Sequence, residues 1–192
     1  VLRVIRGVYE WRNKSAGVKS SLDWRFEALA PNKYLEDRIH MVVATEEEVA
    51  DSASTKLSAI RRKIRSASSR VREQLDKMIR SSVYQKYLQD SIVTMRSGRF
   101  VVPVRAECRG EIPGLVHDTS SSGATVFIEP MGVVEANNEI RVLQSQEQEE
   151  IERILQELSA EAGSFADGII GSYEAAIGLD LIFAKAHLAY KM

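Results

Sequence analysis

The sequence predicts a mainly α-helical fold with a small antiparallel β-sheet, in which two long antiparallel helices carry the sheet at their tip. Two stretches have apolar residues at spacings of three and four, and between them residues 91–129 have the alternation and turn signals of β-strands. The chain has 192 residues, 44% of them hydrophobic, which is enough to bury a core. We expect a helical core and an outgoing helix at 1–85, the sheet at 86–130, and returning helices at 131–192.

The composition excludes several classes of protein. With 26 Lys and Arg against 27 Asp and Glu, the chain is neither a wholly basic nucleic-acid binder nor an acidic disordered tail. Cys108 is the single cysteine, so we expect no disulfide framework and no cysteine-based metal site, as in a reducing cytosol. No apolar run approaches the roughly 20 residues that span a bilayer, and no secretory signal opens the chain. We expect a cytoplasmic piece of a longer protein, with no membrane contact.

The first long helix is predicted at residues 54–82, after short helices in residues 1–40. Ser54 can cap its start. About 27 residues at roughly 1.5 Å each would give a helix on the order of 40 Å long, which needs a partner to bury its apolar seam. That seam consists of Leu57, Ile60, Ile64, Ala67, Val71, Leu75 and Met78.

The partner helix is predicted from Val134 to about Ile170, where apolar residues repeat the same spacing. Pro130 lies just before it, and Glu147 interrupts its seam. Residues 172–192 predict one more helix. Two matching seams separated by a different kind of sequence favour an antiparallel helical hairpin.

The intervening stretch predicts about four strands in two hairpins. Ser97-Gly98 is the first turn signal, and the run Ser120 to Gly123 is the second. Pro103 predicts an edge strand or a bulge, because proline cannot donate to a ladder.

The near-zero net charge conceals a strong split along the chain. Residues 56–105 hold 13 Lys and Arg against 3 acids, whereas residues 129–167 hold 10 acids against 2 Arg. Flanking charges of two paired helices commonly pair with each other, which we favour for the helices. For the arginines of the predicted sheet, two interpretations stay open: they contact phosphate groups, or they are only solvated. The candidate nucleic-acid contacts are Arg96, Arg99, Arg105 and Arg109, supported by Lys86. Tyr84, Tyr87 and Phe100 are candidates for base stacking or, more commonly, for core.

Several kinds of chemistry are missing from the sequence. No Gly is followed directly by Lys, so a phosphate-cradling loop is absent, and no metalloprotease or Cys/His zinc spacing occurs. His117, Asp118 and the following serines resemble hydrolase residues, but such neighbours on a turn more commonly bond their own backbone. We expect no catalytic residue, cofactor or metal in this chain.

The central sequence resembles the bacterial MutS2 family, the MutS paralogue associated with recombination suppression and ribosome rescue. The resemblance covers roughly residues 35–192 and is most specific at 87–141. The residues that carry it include Ser97-Gly98-Arg99-Phe100-Val101-Val102-Pro103-Val104, Pro113-Gly114-Leu115-Val116-His117-Asp118, Ser122-Gly123-Ala124-Thr125-Val126-Phe127-Ile128-Glu129-Pro130 and Glu135-Ala136-Asn137-Asn138-Glu139-Ile140-Arg141.

The resemblance implies the core of a MutS-type protein, with long lever helices that carry a clamp at their tip. It also implies that ATP and Mg²⁺ bind in an ATPase domain outside this chain, and that the parent is a homodimer with a possible endonuclease domain. The implied target is branched or duplex DNA, or the ribosome and its rRNA. We therefore expect a non-catalytic lever-and-clamp module that contacts nucleic acid without sequence specificity. The alternative is a helical hairpin that binds a protein, without direct nucleic-acid contact.

Overall fold

The computed structural model of the chain describes residues 1–15, 17 and 19–192. In these residues the fold is mainly α with a small four-stranded antiparallel sheet, which confirms the predicted fold class. The chain divides into two compact units: residues 1–53 and 152–192, here called the helical unit, and residues 54–151, here called the sheet unit.

The helical unit is built from short helices at the start of the chain and a long one at its end. These are α1 (Leu2–Lys14), α2 (Asp23–Glu27), α3 (Lys33–Val42) and α7 (Ala166–Ala189). Its core consists of Ile5, Phe26, Leu29, Ala175 and Leu179. A small antiparallel hairpin, β1 (Val43–Thr45) and β2 (Glu48–Val49), was not predicted from the sequence.

A charged pair joins two helices of this unit. Arg6 on α1 donates to both carboxylate oxygens of Glu36 on α3, at 2.9 and 3.0 Å. These hydrogen bonds from the guanidinium lower the pKa of the Glu36 carboxyl from its ordinary value.

The first long helix, α4 (Thr55–Arg80), begins where the sequence predicted. The hydroxyl of Ser54 accepts from the backbone N–H groups of Lys56 and Leu57, at 3.1 and 3.4 Å, and so caps the helix. Most of the predicted seam is buried, but Ile64 and Met78 are half-buried and Ile79 is buried at the far end. The short helix α5 (Ser82–Gln85) follows.

The second long helix, α6 (Val134–Ser164), ends earlier than predicted, and α7 begins at Ala166 instead of residue 172. The cause is local. The Ser164 hydroxyl donates to the carbonyl of Glu161 at 2.6 Å, and the Phe165 N–H bonds the carbonyl of Ala162, three residues back. Such bonds compete with the α-helical pattern and end the helix.

Four strands form the sheet in the order β3, β4, β6, β5, all antiparallel. They are β3 (Thr94–Arg96), β4 (Arg99–Arg105), β5 (Gly114–Thr119) and β6 (Thr125–Pro130). Ser97 and Gly98 both have positive φ, 50° and 73°, as a two-residue hairpin turn requires. Alternate residues of β4 and β6, including Phe100, Val102 and Ile128, join the core that α4 and α6 also line.

Pro103 lies in the interior strand β4, so the expectation of an edge strand is wrong. The alternative, a bulge, is confirmed, because the pairs Val101–Thr94 and Val104–Leu88 put three residue steps of β4 opposite six. The pairing of β3 with β4 reaches only to Val101, opposite Thr94. The missing N–H of Pro103 therefore falls beyond the end of β3, and its carbonyl accepts from Gln89 at 3.0 Å. No ladder bond to β6 is lost, which is why the proline is tolerated.

Candidate nucleic-acid interface

Ion pairs join α4 to the part of α6 within the sheet unit. Lys56 contacts Glu150 at 2.9 Å, Arg61 contacts Glu147 at 2.7 Å, and Arg70 contacts Glu139 at 3.5 Å. The residue numbers of the partners decrease along α6 as those on α4 increase, so the two helices are antiparallel. Part of the basic stretch of the sequence is therefore paired with the acidic stretch, as predicted. Glu147, which interrupts the apolar seam, is the partner of Arg61.

Glu150 is buried among these pairs, with its side chain 0% exposed. It accepts a hydrogen bond of 2.8 Å from the hydroxyl of Ser54, the residue that also caps α4. A buried carboxylate requires such partners, since unpaired burial of a charge is very costly. Glu150 is thus a structural residue at the start of α4.

A second buried carboxylate, Glu129, lies at the end of β6, with its side chain 0% exposed. Its Oε1 accepts from Arg99 at 2.7 Å and from the side-chain amide of Asn137 at 2.8 Å. Its Oε2 lies 2.5 Å from Nε2 of His117, which stands at an irregularity in the pairing of β5 with β6. Arg99 also donates to Asn138 at 2.6 Å. We call these residues the Glu129 network.

The side chain of Asn137 hydrogen-bonds the backbone of β4 at a point where β6 offers no matching partner. Continuing the register of β4 and β6 would put Phe100 opposite Pro130, which has no N–H to donate. Instead the Asn137 side chain accepts from the Phe100 N–H at 3.2 Å and donates to the Phe100 carbonyl at 3.1 Å. One amide on α6 therefore completes the hydrogen bonding of β4 where β6 ends.

Arg96 reaches from β3 toward the two strands on the far side of β4. Its guanidinium lies 4.1 Å from the centre of the Phe127 ring on β6, and it contacts Asp118 of β5 at 3.2 Å. The charge of Arg96 is thus partly used within the sheet, although its side chain is 39% exposed.

Lys86, Arg105 and Arg109 are exposed at the opposite end of β4 from Arg99. The Arg105 N–H bonds the carbonyl of Tyr87, and Arg105 pairs with Thr125 on β6. No carboxylate pairs with these three cations among the residues that the structure describes. Glu107 and Glu111 are exposed nearby but form no ion pair with them. We call Lys86, Arg105 and Arg109 the tip cations.

The structure brings the predicted contacts together only in part. Arg99 belongs to the Glu129 network, with its side chain 13% exposed, and Arg96 is bound across the sheet. The tip cations are the predicted residues that are exposed and have no carboxylate partner in the described residues, although the ammonium of Lys86 also contacts the ring of Tyr87.

The aromatic residues near this surface are core residues. Phe100 is buried, and Tyr84 and Tyr87 are half-buried against the same core. Lys86 covers Tyr87, with its Nζ 4.7 Å from the ring centre. The sheet unit, all of which the structure describes, therefore has no exposed aromatic ring on which a base could stack.

The hydrolase interpretation finds no support in the hydrogen bonds. His117 is bound to Glu129, whereas the Ser120 and Ser122 hydroxyls bond each other and the backbone of the turn. No hydrogen bond joins His117 to a serine in the described part of the chain. Among the same residues, no group of three or more His, Cys, Asp or Glu could hold a metal ion.

Sequence reasoning missed the Glu129 network. The available signal was an acidic residue directly after the apolar run Val126-Phe127-Ile128, with two asparagines at the start of the next helix. A charged residue inside a strand pattern implies a partner, but only the fold shows that Arg99, His117 and Asn137 supply it.

The chain is similar to several proteins named Endonuclease MutS2. It is 53% identical over 161 residues to the one from Acetivibrio thermocellus, covering 84% of this chain and 20% of that protein. The protein from Ruminiclostridium cellulolyticum is 50% identical over 161 residues, which again cover 84% of this chain and 20% of that protein. The Caldicellulosiruptor saccharolyticus protein is 42% identical over 192 residues, which covers 99% of this chain and 24% of that protein. No protein-family model matches the chain.

The chain spans about a fifth to a quarter of the length of these relatives, as the 20% and 24% shares show. None of the described helices is both long and apolar enough to cross a membrane.

Proposed function

Because this chain belongs to the MutS2 family, of whose members it spans only part, we propose that it is a non-catalytic segment whose sheet contacts nucleic acid without sequence specificity. The contact is made by the tip cations, Lys86, Arg105 and Arg109. The target is the phosphate backbone of duplex or branched DNA, or of ribosomal RNA. In the whole protein, a cytoplasmic homodimer that binds ATP and Mg²⁺ elsewhere, α4 and α6 would carry ATP-driven motion to the sheet.

The observation that carries the proposal is the difference among the predicted contact residues in and beside the sheet. The charge of Arg99 is matched by Glu129, and that of Arg96 by Asp118. The tip cations are exposed and have no carboxylate partner in the described residues. The same is true of three cations on α4, Arg62, Lys63 and Arg72, which therefore serve as the control below. Unpaired exposed cations are the groups that bind phosphates and release counterions.

The absence of an exposed aromatic ring in the sheet unit supports contact with the backbone and not the bases. Proteins that hold single strands commonly stack the bases on aromatic side chains. Phosphate contacts position a protein on nucleic acid without reading its sequence. Both points favour binding that does not depend on sequence.

The test is a salt series with the whole chain and labelled duplex DNA, branched DNA and structured RNA. For the wild type, we expect the slope of log affinity against log salt to be near −0.9 for each phosphate contact to duplex DNA. We expect the triple variant Lys86→Glu, Arg105→Glu and Arg109→Glu to abolish binding. The matched control reverses three exposed cations of α4 with Arg62→Glu, Lys63→Glu and Arg72→Glu.

An equal loss of affinity in the control would show that binding depends on total charge and not on the position of the tip cations, which would overturn the assignment of the contact to the sheet. Unchanged binding in the tip variant, or no binding by the wild type at low salt, would overturn the proposal. The latter result would favour the alternative, a helical hairpin that binds a protein.

A further inference from the structure

The turn between β5 and β6, residues 120–123, lies beside the tip cations. The backbone places it there, because Arg105 pairs with Thr125 and the Ala106 N–H bonds the carbonyl of Ala124 at 3.0 Å. Its sequence is Ser120-Ser121-Ser122-Gly123, and all but Ser120 are exposed. The turn thus projects small polar side chains at the same end of β4 as the unpaired cations.

Only some of the polar groups of this turn are used internally. The Gly123 N–H bonds the Ser120 carbonyl at 2.8 Å, as in a β-turn, and the Thr125 N–H bonds the Ser120 hydroxyl at 3.1 Å. The Ser122 hydroxyl is 3.3 Å from that of Ser120. By contrast, the backbone N–H groups of Ser121 and Ser122 and the Ser121 hydroxyl have no hydrogen-bond partner in the structure, which describes the whole turn.

We propose that this turn is a phosphate-binding element of the nucleic-acid surface, an inference that rests on the proposed function. The N–H groups of Ser121 and Ser122 and the Ser121 hydroxyl donate to a non-bridging oxygen of a backbone phosphodiester. Arg105 and Arg109 neutralise the negative charge of neighbouring phosphates on the same nucleic-acid strand. Backbone N–H groups and hydroxyl groups are common donors to phosphate oxygens.

The small side chains of the turn allow a nucleic-acid strand to approach closely. Ser121 and Ser122 add no bulk beyond Cβ and a hydroxyl, and Gly123 adopts the positive φ of 74° that closes the turn. The ligand is the phosphodiester itself, which DNA and RNA share. Duplex DNA and duplex RNA are therefore separate arms of the test.

The decisive variant is Ser121→Pro, which removes one N–H and one hydroxyl without changing the charge. Residue 121 is the second residue of the turn, a position that accepts proline. A hydrogen bond to a charged group is worth about 1.5–3 kcal/mol, so we expect affinity to fall by about tenfold or more. The salt slope should stay unchanged, because neutral donors release no counterions. Arg105→Ala should instead reduce the slope by about 0.9.

Two further variants separate the contributions. Ser121→Ala removes only the hydroxyl and should weaken binding less than Ser121→Pro does. Ser121→Asp adds a negative charge at the same point and should weaken binding most, whereas Ser69→Asp, an equal charge change at an exposed position of α4, should have little effect. Thermal unfolding of every variant checks that the fold is kept.

If the tip-cation variant abolishes binding while Ser121→Pro and Ser121→Asp bind like the wild type, the turn is not a contact and the proposed function stands. If neither set of variants affects binding, the proposed function itself fails. If Ser121→Pro lowers the salt slope or the thermal midpoint, it acts through the fold, and the phosphate assignment to the turn is overturned.

Discussion

The two ends of β4 carry arginines of similar sequence context and opposite roles. At the first end, Arg99 is held by a carboxylate that is 0% exposed and by the amide oxygen of Asn138. At the other end, Arg105 is exposed, with no carboxylate partner in the described residues. The difference shows that the partner, and not the residue type or the strand, decides whether an arginine stabilises the fold or stays available to a ligand.

The largest effect is expected at the first end. Glu129→Ala should lower the free energy of unfolding by about 3–5 kcal/mol, because it leaves the Arg99 guanidinium, whose side chain is only 13% exposed, without its carboxylate. Urea unfolding followed by circular dichroism measures this loss. The control Asp118→Ala removes the half-exposed partner of Arg96 and should cost less than about 1 kcal/mol. Equal losses in the two variants would show that burial does not distinguish these pairs.

A smaller loss is expected for Asn137→Ala, which leaves the N–H and carbonyl of Phe100 unpaired. An unsatisfied buried group costs about 1–3 kcal/mol. Hydrogen exchange of the Phe100 amide should become faster, whereas Asn138→Ala should leave it protected, because Asn138 contacts only the Arg99 side chain in this network. A Phe100 amide that exchanges equally slowly in both variants would contradict the role given to Asn137.

The smallest effect on stability is expected at the other end. Arg105→Ala should change the free energy of unfolding by no more than about 0.5 kcal/mol, as is usual for exposed positions. Arg99→Ala should instead destabilise the chain and leave the salt dependence of nucleic-acid binding unchanged. Measured together, the two variants separate stability from binding. A loss of stability in Arg105→Ala would remove the contrast between the two ends.

The fold could be predicted from the sequence wherever the pattern is local. The periodicity from Leu57 to Leu75, the cap at Ser54 and the turn at Ser97-Gly98 all depend on neighbours along the chain. The break at Phe165 was missed because it depends on one side-chain hydrogen bond, from the Ser164 hydroxyl to the carbonyl of Glu161, which competes with the helical hydrogen bonds.

The site was predictable only as a set of candidates. Arg96, Arg99 and Arg105 are equivalent in sequence, because each lies in a strand-like stretch of a basic region. Their different fates depend on carboxylates at Asp118 and Glu129, which are distant in sequence and near only after the sheet forms. The same holds for Asn137, whose role follows from where β6 ends.

The ion pairs along α4 and α6 have a mechanical consequence. Lys56, Arg61 and Arg70 each contact a different glutamate of the antiparallel partner. A force that slides one helix lengthwise past the other loads all the pairs at once, and a slip of one turn, about 5.4 Å, would misalign every one of them. A force that peels the helices apart from one end meets them singly. These ion pairs therefore oppose sliding of the helices together and oppose their separation only one at a time.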